Sequence, residues 1–300
     1  MLVSVVVPST DRGEGLERCL NSILQQDFIG ELEVLVVENN SKNLDVVQEI
    51  LQRFNGERIH HFFLGDCVNA NVARNFGASK AAGEYIAFLD SDDEWHPRHL
   101  AKCLDSVERS QCVCSSFFSV KNRVSTSICG HYSGDIVNDL FVEKSIDVRT
   151  SALFFLKKAF DVVRFDERLN KHQDWGLVVD FSRRFRIAYS NEPTVNIYVD
   201  GDNRMSAKTN VPASTFFAKN KLTGLARLSF ILSRMSDEIA IGTKAGLVEY
   251  VGLLGGGFTG LSFKKRVAGI IFVLCSKSVL LFSIVRSLLG LYKSVLVNNK

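Results

Sequence analysis

Apolar runs and segments of helical period alternate strictly over the first hundred residues, and that alternation limits the possible folds more than any other feature. Val3-Ser4-Val5-Val6-Val7 is a β-branched run stopped by Pro8, which predicts a buried strand. Leu16, Leu20, Ile23 and Leu24 then recur at helical spacing through Gln26, behind Ser9-Thr10-Asp11, whose oxygens are placed to cap a helix. Glu33 to Val37 predicts a second strand, Leu44 to Phe54 a helix and Ile59 to Phe63 a third strand. Asn71 to Ala82 is an Ala-rich helix closed by Gly83, and Tyr85 to Leu89 a fourth strand. A helix from Pro97 to about Val107 follows. Such alternation implies parallel strands joined by crossover helices, a doubly wound α/β sheet.

Each early strand ends in polar residues: Ser9-Thr10-Asp11, Glu38-Asn39-Asn40 and Asp90-Ser91-Asp92. In a parallel sheet these ends share one edge, the edge where ligands bind. Asp90, Asp92 and Asp93 place three carboxylates within four positions. Their mutual repulsion is costly unless a cation or strong donors neutralise it, and at this edge a divalent ion with a phosphorylated substrate fits. The bland reading is that Asp92 or Asp93 caps the helix near Pro97. His96 and His99 are placed for metal ligation on one helical face or, more ordinarily, for exposure at a helix start.

Beyond residue 110 the alternation breaks. Cys112 to Val120 and Ser151 to Leu156 predict strands across a long polar stretch, a helix begins near Asp174-Trp175, and Thr194 to Val199 predicts another strand. From about Ala213 the pattern is helical, interrupted by Gly255-Gly256-Gly257. The expected division is a catalytic domain over 1–210, with a nucleotide-binding half (1–110) and an acceptor half (111–210), followed by a helical region over 211–300. The 300 residues, 46% hydrophobic and 23% charged, suit a globular chain. Seven cysteines without a C-x-x-C pair read as reduced thiols. Met1 runs directly into a strand-like segment, so no secretory signal is expected.

The net charge of +3 is unevenly distributed. Glu249 is the last acid, and the seven cations after it (Lys264, Lys265, Arg266, Lys277, Arg286, Lys293 and Lys300) leave the first 249 residues at −4. The tail's apolar stretches are too short to span a bilayer. Arg286, Lys293 and Lys300 recur every seven residues on one helical face, so residues 263–300 are expected to lie on an anionic membrane surface. The competing reading is a helix packed on the catalytic domain with its lysines reaching out to water.

Four segments together resemble glycosyltransferase family 2, the inverting nucleotide-sugar transferases of GT-A fold. They are Val3 to Arg12, Glu33 to Ser41, Ala73 to Ala78 with Gly83 to Asp93, and His172-Gln173-Asp174-Trp175. They occur in the family's order over residues 2–205. The resemblance implies a GT-A-type doubly wound mixed sheet, with a Rossmann-like nucleotide-binding half, an acceptor half and here a C-terminal helical tail. It implies Asp92 as ligand of Mg²⁺ or Mn²⁺, Asp90 as a second ligand or ribose contact, and Asp174 as general base. Pro8, Ser9, Thr10, Arg12, Glu38, Asn39, Arg74, Ser91, His172 and Arg204 would contact the substrates. Glu38-Asn39 replaces the commoner acid pair and Gln173 a common Glu. Arg74 reads as a diphosphate clamp or as a surface arginine, and Asp174 as base or helix cap.

The implied activity moves a sugar, with inversion, from a UDP-sugar or related donor to a saccharide or lipid-linked acceptor. The setting would be bacterial surface polysaccharide synthesis (O-antigen, capsule or exopolysaccharide) at the cytoplasmic face of the inner membrane, with no nucleic-acid partner. A Rossmann oxidoreductase is disfavoured because Arg18 stands at the third glycine position. A dehalogenase-like phosphatase would carry its D-x-D after the first strand, and a nucleotidyltransferase a glycine-rich loop with basic residues. A non-catalytic or degenerate nucleotide-sugar-binding protein remains the alternative.

Overall fold

The computed structural model describes all residues except 12, 43, 55–57, 66–68, 108, 201–208, 255–259 and 299–300, and no side chain at 263 or 289–298. Arg12 and Arg204 therefore lie outside the described residues. The chain forms two compact units: Met1–Leu140 with Lys144–Asp202, and Phe141–Glu143 with Asn203–Lys300.

The first unit opens with β1 (Leu2–Ser9), α1 (Glu14–Leu24), β2 (Glu31–Glu38), α2 (Leu44–Gln52), β3 (Ile59–Phe63), α3 (Ala70–Lys80) and β4 (Tyr85–Phe88). Then come β5 (Glu94–Trp95), α4 (His99–Val107), β6 (Cys112–Ser115), β7 (Phe117–Lys121) and β8 (Val124–Ile128). A π-helical turn (Asn138–Glu143) and a 3-10 turn (Thr150–Ala152) precede β9 (Leu153–Leu156), α5 (Lys157–Val163), α6 (Gln173–Ser182), β10 (Ile187–Ser190) and β11 (Val195–Tyr198). Among the described residues the strands form a seven-stranded sheet, β10-β6-β9-β4-β1-β2-β3, and a four-stranded sheet, β5-β11-β7-β8.

The parallel order β4-β1-β2-β3 is the doubly wound half expected from the alternation. Helices cover both faces of its centre, so Val3, Val5, Val6 and Val7 are all fully buried and the strand reads as a continuous apolar run. Helix α3 packs closely on it: a Cβ at Gly77 would lie 2.5 Å from Val6 Cγ1. The sheet is mixed because β9 runs antiparallel to both β4 and β6.

The predicted strand Cys112 to Val120 is two strands. Residues 112–115 pair with β9 and β10, whereas 117–121 pair with β11 and β8 in the other sheet. The chain changes sheets at Ser116, whose N–H bonds Ser190 O at 2.8 Å, a corner of the kind that strands shared by two sheets make. Asn122 and Arg123, both at positive φ, close a two-residue hairpin from β7 to β8 inside the stretch read as polar loop. The described cysteines are free thiols.

The second unit holds α7 (Val211–Lys221), α8 (Gly224–Ile241), α9 (Lys244–Val251), α10 (Phe263–Lys277) and α11 (Val279–Asn298). Phe141, Phe217 and Phe230 form its aromatic centre, with ring centroids 5.1–6.0 Å apart. No described helix is long and apolar enough to cross a membrane.

Candidate active site

Parallel register brings the polar ends of β1, β2 and β4 to one edge, with Ser9 opposite Glu38 and Val6 opposite Phe88. The oxygens expected to cap α1 do other work. Ser9 belongs to β1, Thr10 Oγ1 donates to Asn39 O at 2.8 Å, and Asp11 Oδ1 accepts from Lys42 N–H at 2.7 Å. Helix α1 starts later, from Gly13, with no side-chain cap. The β1 loop is thus tied to the β2 loop. Pro8 lies buried inside β1.

Glu38 is fully buried. One of its oxygens accepts from the Ser41 hydroxyl, while Oε1, Ser9 Oγ and His61 Nε2 are buried without a hydrogen-bond partner in the protein. Unmet buried polar atoms are costly, and these three belong to neighbouring strands at the polar edge of the sheet. Burial lowers the pKa of His61 against the opposing pull of Glu38. His61 carried no signal in the sequence, since only the pairing of β3 with β2 brings it to Glu38.

The carboxylate turn is held from every side. Asp93 N–H bonds Asp90 O at 2.9 Å. Ser151 Oγ accepts from Asp90 N–H at 3.1 Å and donates to Asp93 Oδ2 at 2.5 Å, and Tyr198 N–H bonds Asp93 Oδ1 at 3.1 Å. Arg18 Nη2 donates to Asp92 O at 2.5 Å, with its guanidinium 3.9 Å over the Tyr198 ring. A Cβ at Gly15 would sit 2.9 Å from Ser91 O, so α1 rests directly on the turn. Asp93 is thereby a buried structural carboxylate and not a cap of α4, which begins only at His99. Burial first, then the charges of Asp92 and Asp90, push its pKa well up. Ser151, Arg18 and Tyr198 were invisible to sequence reasoning because they are distant in the chain.

His96 and His99 do not converge as ligands. His96 Nε2 lies 3.0 Å from Asn196 Oδ1 and its ring stacks on Phe118, while His99 Nδ1 lies 2.8 Å from Thr194 Oγ1. Burial takes the pKa of His99 down to about 3.

Arg74 is no surface arginine: it is 4% exposed. Its Nη2 bonds Asp90 Oδ1 at 2.6 Å, and its Nη1 bonds Gln173 Oε1 at 2.9 Å and Asn71 Oδ1 at 3.2 Å. One guanidinium therefore joins the turn after β4 to the first residue of α6. Here Gln173 serves as the neutral acceptor for that guanidinium. His172 precedes α6 in the left-handed region (φ 59°) and stacks on Trp175 with centroids 5.1 Å apart.

Asp174 is the second residue of α6, and its Oδ1 accepts from Trp175 N–H at 2.8 Å. Burial pushes its pKa up to about 6, with Arg149 the strongest opposing influence. Arg149, which carried no sequence signal, donates from Nη2 to Asp147 Oδ2 at 2.8 Å; burial lowers its pKa, but Asp147, Asp174 and Asp93 together outweigh that and raise it.

No three His, Cys, Asp or Glu side chains converge as a complete ligand set among the described residues. The turn fits an ion of the Mg²⁺ or Mn²⁺ type, which takes one or two protein carboxylates and completes its shell with ligand oxygens and water. Burial is the first cause of the raised Asp93 pKa, and the charges of Asp92 and Asp90, the second, are the negative charge that such an ion would meet.

This mixed sheet, with a carboxylate turn after β4, is a GT-A fold. The profile of Glycosyl transferase family 2 matches residues 4–155, half of the chain, and the chain belongs to that family. Among curated proteins it is 26% identical to the amylovoran biosynthesis glycosyltransferase AmsB of Erwinia amylovora over 210 residues, 65% of this chain and 69% of that one. It is 37% identical over 95 residues to the GalNAc(5)-diNAcBac-PP-undecaprenol beta-1,3-glucosyltransferase of Campylobacter jejuni, 31% of this chain and 30% of that one. The matches that follow the amylovoran protein each span less than half of the relative's length. Among solved structures, Staphylococcus aureus TarS 1–349 with UDP-GlcNAc aligns at TM-score 0.61 and 17% identity over 91% of this chain and 79% of that one. The Pyrobaculum calidifontis mannosyltransferase PcManGT with GDP-Man and Mn²⁺ aligns at 0.58 and 14% over 99% and 86%. At these identities the likeness shows the fold alone.

Proposed function

We propose that the chain transfers a glycosyl group, with inversion, from a nucleoside-diphosphate sugar to a hydroxyl of a saccharide or lipid-linked saccharide. The observation that carries this reading is the Arg74 bridge, which ties Asp90 to the residue beside Asp174. A leaving-group site and a base are then held on one side chain. The unpartnered buried atoms of Glu38, Ser9 and His61 would meet polar groups of the nucleoside, and Asp90 and Asp92 would hold the divalent ion. When bound, such an ion supplies positive charge against the diphosphate that departs. Asp174, with its pKa near 6, is ionised at neutral pH and basic enough to take the acceptor proton as the new bond forms. In-line attack from that side gives inversion.

The ligands of the structural neighbours, UDP-GlcNAc and GDP-Man, are nucleoside-diphosphate sugars and support a donor of this class, with UDP the nucleotide we favour. The amylovoran and undecaprenol-linked relatives support a role in building a bacterial surface polysaccharide. The deciding experiment measures turnover beside donor affinity for Asp174→Asn. Loss of about 10²–10⁴-fold in turnover with affinity retained is expected of a general base, whereas an equal loss of both refutes the assignment.

A further inference from the structure

The helical unit leaves large apolar side chains in water on both α10 and α11. On α10, Val267 (38% exposed), Ile270 (51%) and Leu274 (49%) are three and four residues apart and share a face. On α11, Leu280 (73%), Ile284 (47%) and Leu288 (60%) recur every four residues, with Val279 (70%) beside them. Their inward counterparts Phe272, Cys275 and Phe282 are buried. Arg266 and Lys277, both exposed, lie four and seven residues from Ile270, so cations border the apolar line on α10. No acid follows Glu249.

The face differs from the one that cation spacing alone selects. Arg286 turns its guanidinium onto the end of α8, where a Cβ at Gly242 would lie 2.6 Å from Arg286 Cζ. Gly242 ends α8 in the left-handed conformation, and a cation there complements the unpaired carbonyls of a helix C-terminus. Lys265 is also engaged, its Nζ donating to Val142 O at 2.8 Å. The exposed cations on α10 are Lys264, Arg266 and Lys277, and of these Arg266 also donates from Nε to Leu261 O at 2.7 Å.

We infer that this face docks on an anionic phospholipid surface: Val267, Ile270, Leu274, Leu280 and Ile284 enter the headgroup–acyl boundary while Arg266 and Lys277 meet phosphates. An exposed apolar stripe edged by cations and free of acids is the pattern of a helix lying in the interface plane. The inference rests on the helical unit alone and stands apart from the transferase reading. Its test is sedimentation of the full chain with phosphatidylglycerol vesicles and with phosphatidylcholine vesicles. Binding to the anionic vesicles that weakens at least tenfold on the neutral ones is expected. Ile270→Gln/Leu274→Gln should lower it at least tenfold. Arg266→Gln/Lys277→Gln should lower it about fivefold per cation removed. Because these side chains are exposed, the variants should melt like the parent, which circular dichroism checks. Failure to bind anionic vesicles overturns the inference, as does undiminished binding by both variants. Self-association without lipid that Ile270→Gln/Leu274→Gln abolishes would assign the face to a second copy instead.

Discussion

The two units treat charge and apolar surface in opposite ways. In the catalytic unit the exposed large apolar side chains, among the described residues, are scattered singly: Met1, Ile29, Val46, Phe63, Val124 and Val162. Its charges are drawn inward, with Arg74 and Asp93 buried against several partners each. The helical unit leaves Ile241, Val248 and the exposed apolar rows of α10 and α11 in water, and its last 51 residues hold cations without acids. A buried charge network costs stability unless its members are satisfied, and in the proposed function it is kept because it fixes the reacting geometry. Exposed apolar surface is kept where something covers it.

Four substitutions and one condition sharpen that contrast. The largest effect on stability is expected at Arg74. Arg74→Met strands Asp90 and should cost about 3 kcal/mol, the lower end for a broken buried pair, because 32% of the Asp90 side chain already reaches solvent. Thermal unfolding reads this, and a loss under 1 kcal/mol would mean that the bridge holds little. Gly77→Ala comes next. Its Cβ would meet Val6 Cγ1 at 2.5 Å, and overpacking of this kind costs about 1–3 kcal/mol. Denaturant midpoints would show it.

Protonation gives the third test. The Asp174 pKa near 6 stands above the ordinary carboxylate value of 3.8, so the base is lost as pH falls through about 6. The kcat/KM profile should drop tenfold per pH unit below that point. Folding linkage has the opposite sense: the folded state binds this proton more tightly, so ionising Asp174 destabilises it as pH rises from about 4 to about 6. Arg149→Gln removes the main opposing charge and should move the acid limb to higher pH; a limb that stays fixed would separate Arg149 from the base. The smallest effect is expected in the helical unit. Ile270→Gln, at an exposed site, should change stability by less than about 0.5 kcal/mol, and a larger loss would mean that the residue belongs to a core.

Much of this was legible in the chain. The β-branched runs and the Leu16–Leu20–Ile23 spacing gave the parallel half of the sheet and its polar edge, because periodicity reports burial directly. The hairpin at Asn122-Arg123 was missed because its flanking strand Val124 to Ile128 is mostly exposed and so lacks an apolar signature. The corner at Ser116 was missed because an extended run gives no sign of changing partners.

What the sequence determined by itself were the elements that depend on near neighbours, and through them the edge where Asp90, Glu38 and Ser9 meet. It also determined the family, through motifs carried in order. Which carboxylate of the turn is drawn inward was decided only by tertiary structure. Asp93 is withdrawn by Ser151, 58 residues away, and by Tyr198, 105 residues away, while Arg74 reaches Gln173 across 99 residues. Arg286, chosen by spacing as a membrane-facing cation, lies exposed with its guanidinium beside the end of α8. Hydrogen-bond partners so distant in the chain are chosen by topology, and three neighbouring aspartates have no local difference that could assign them separate tasks.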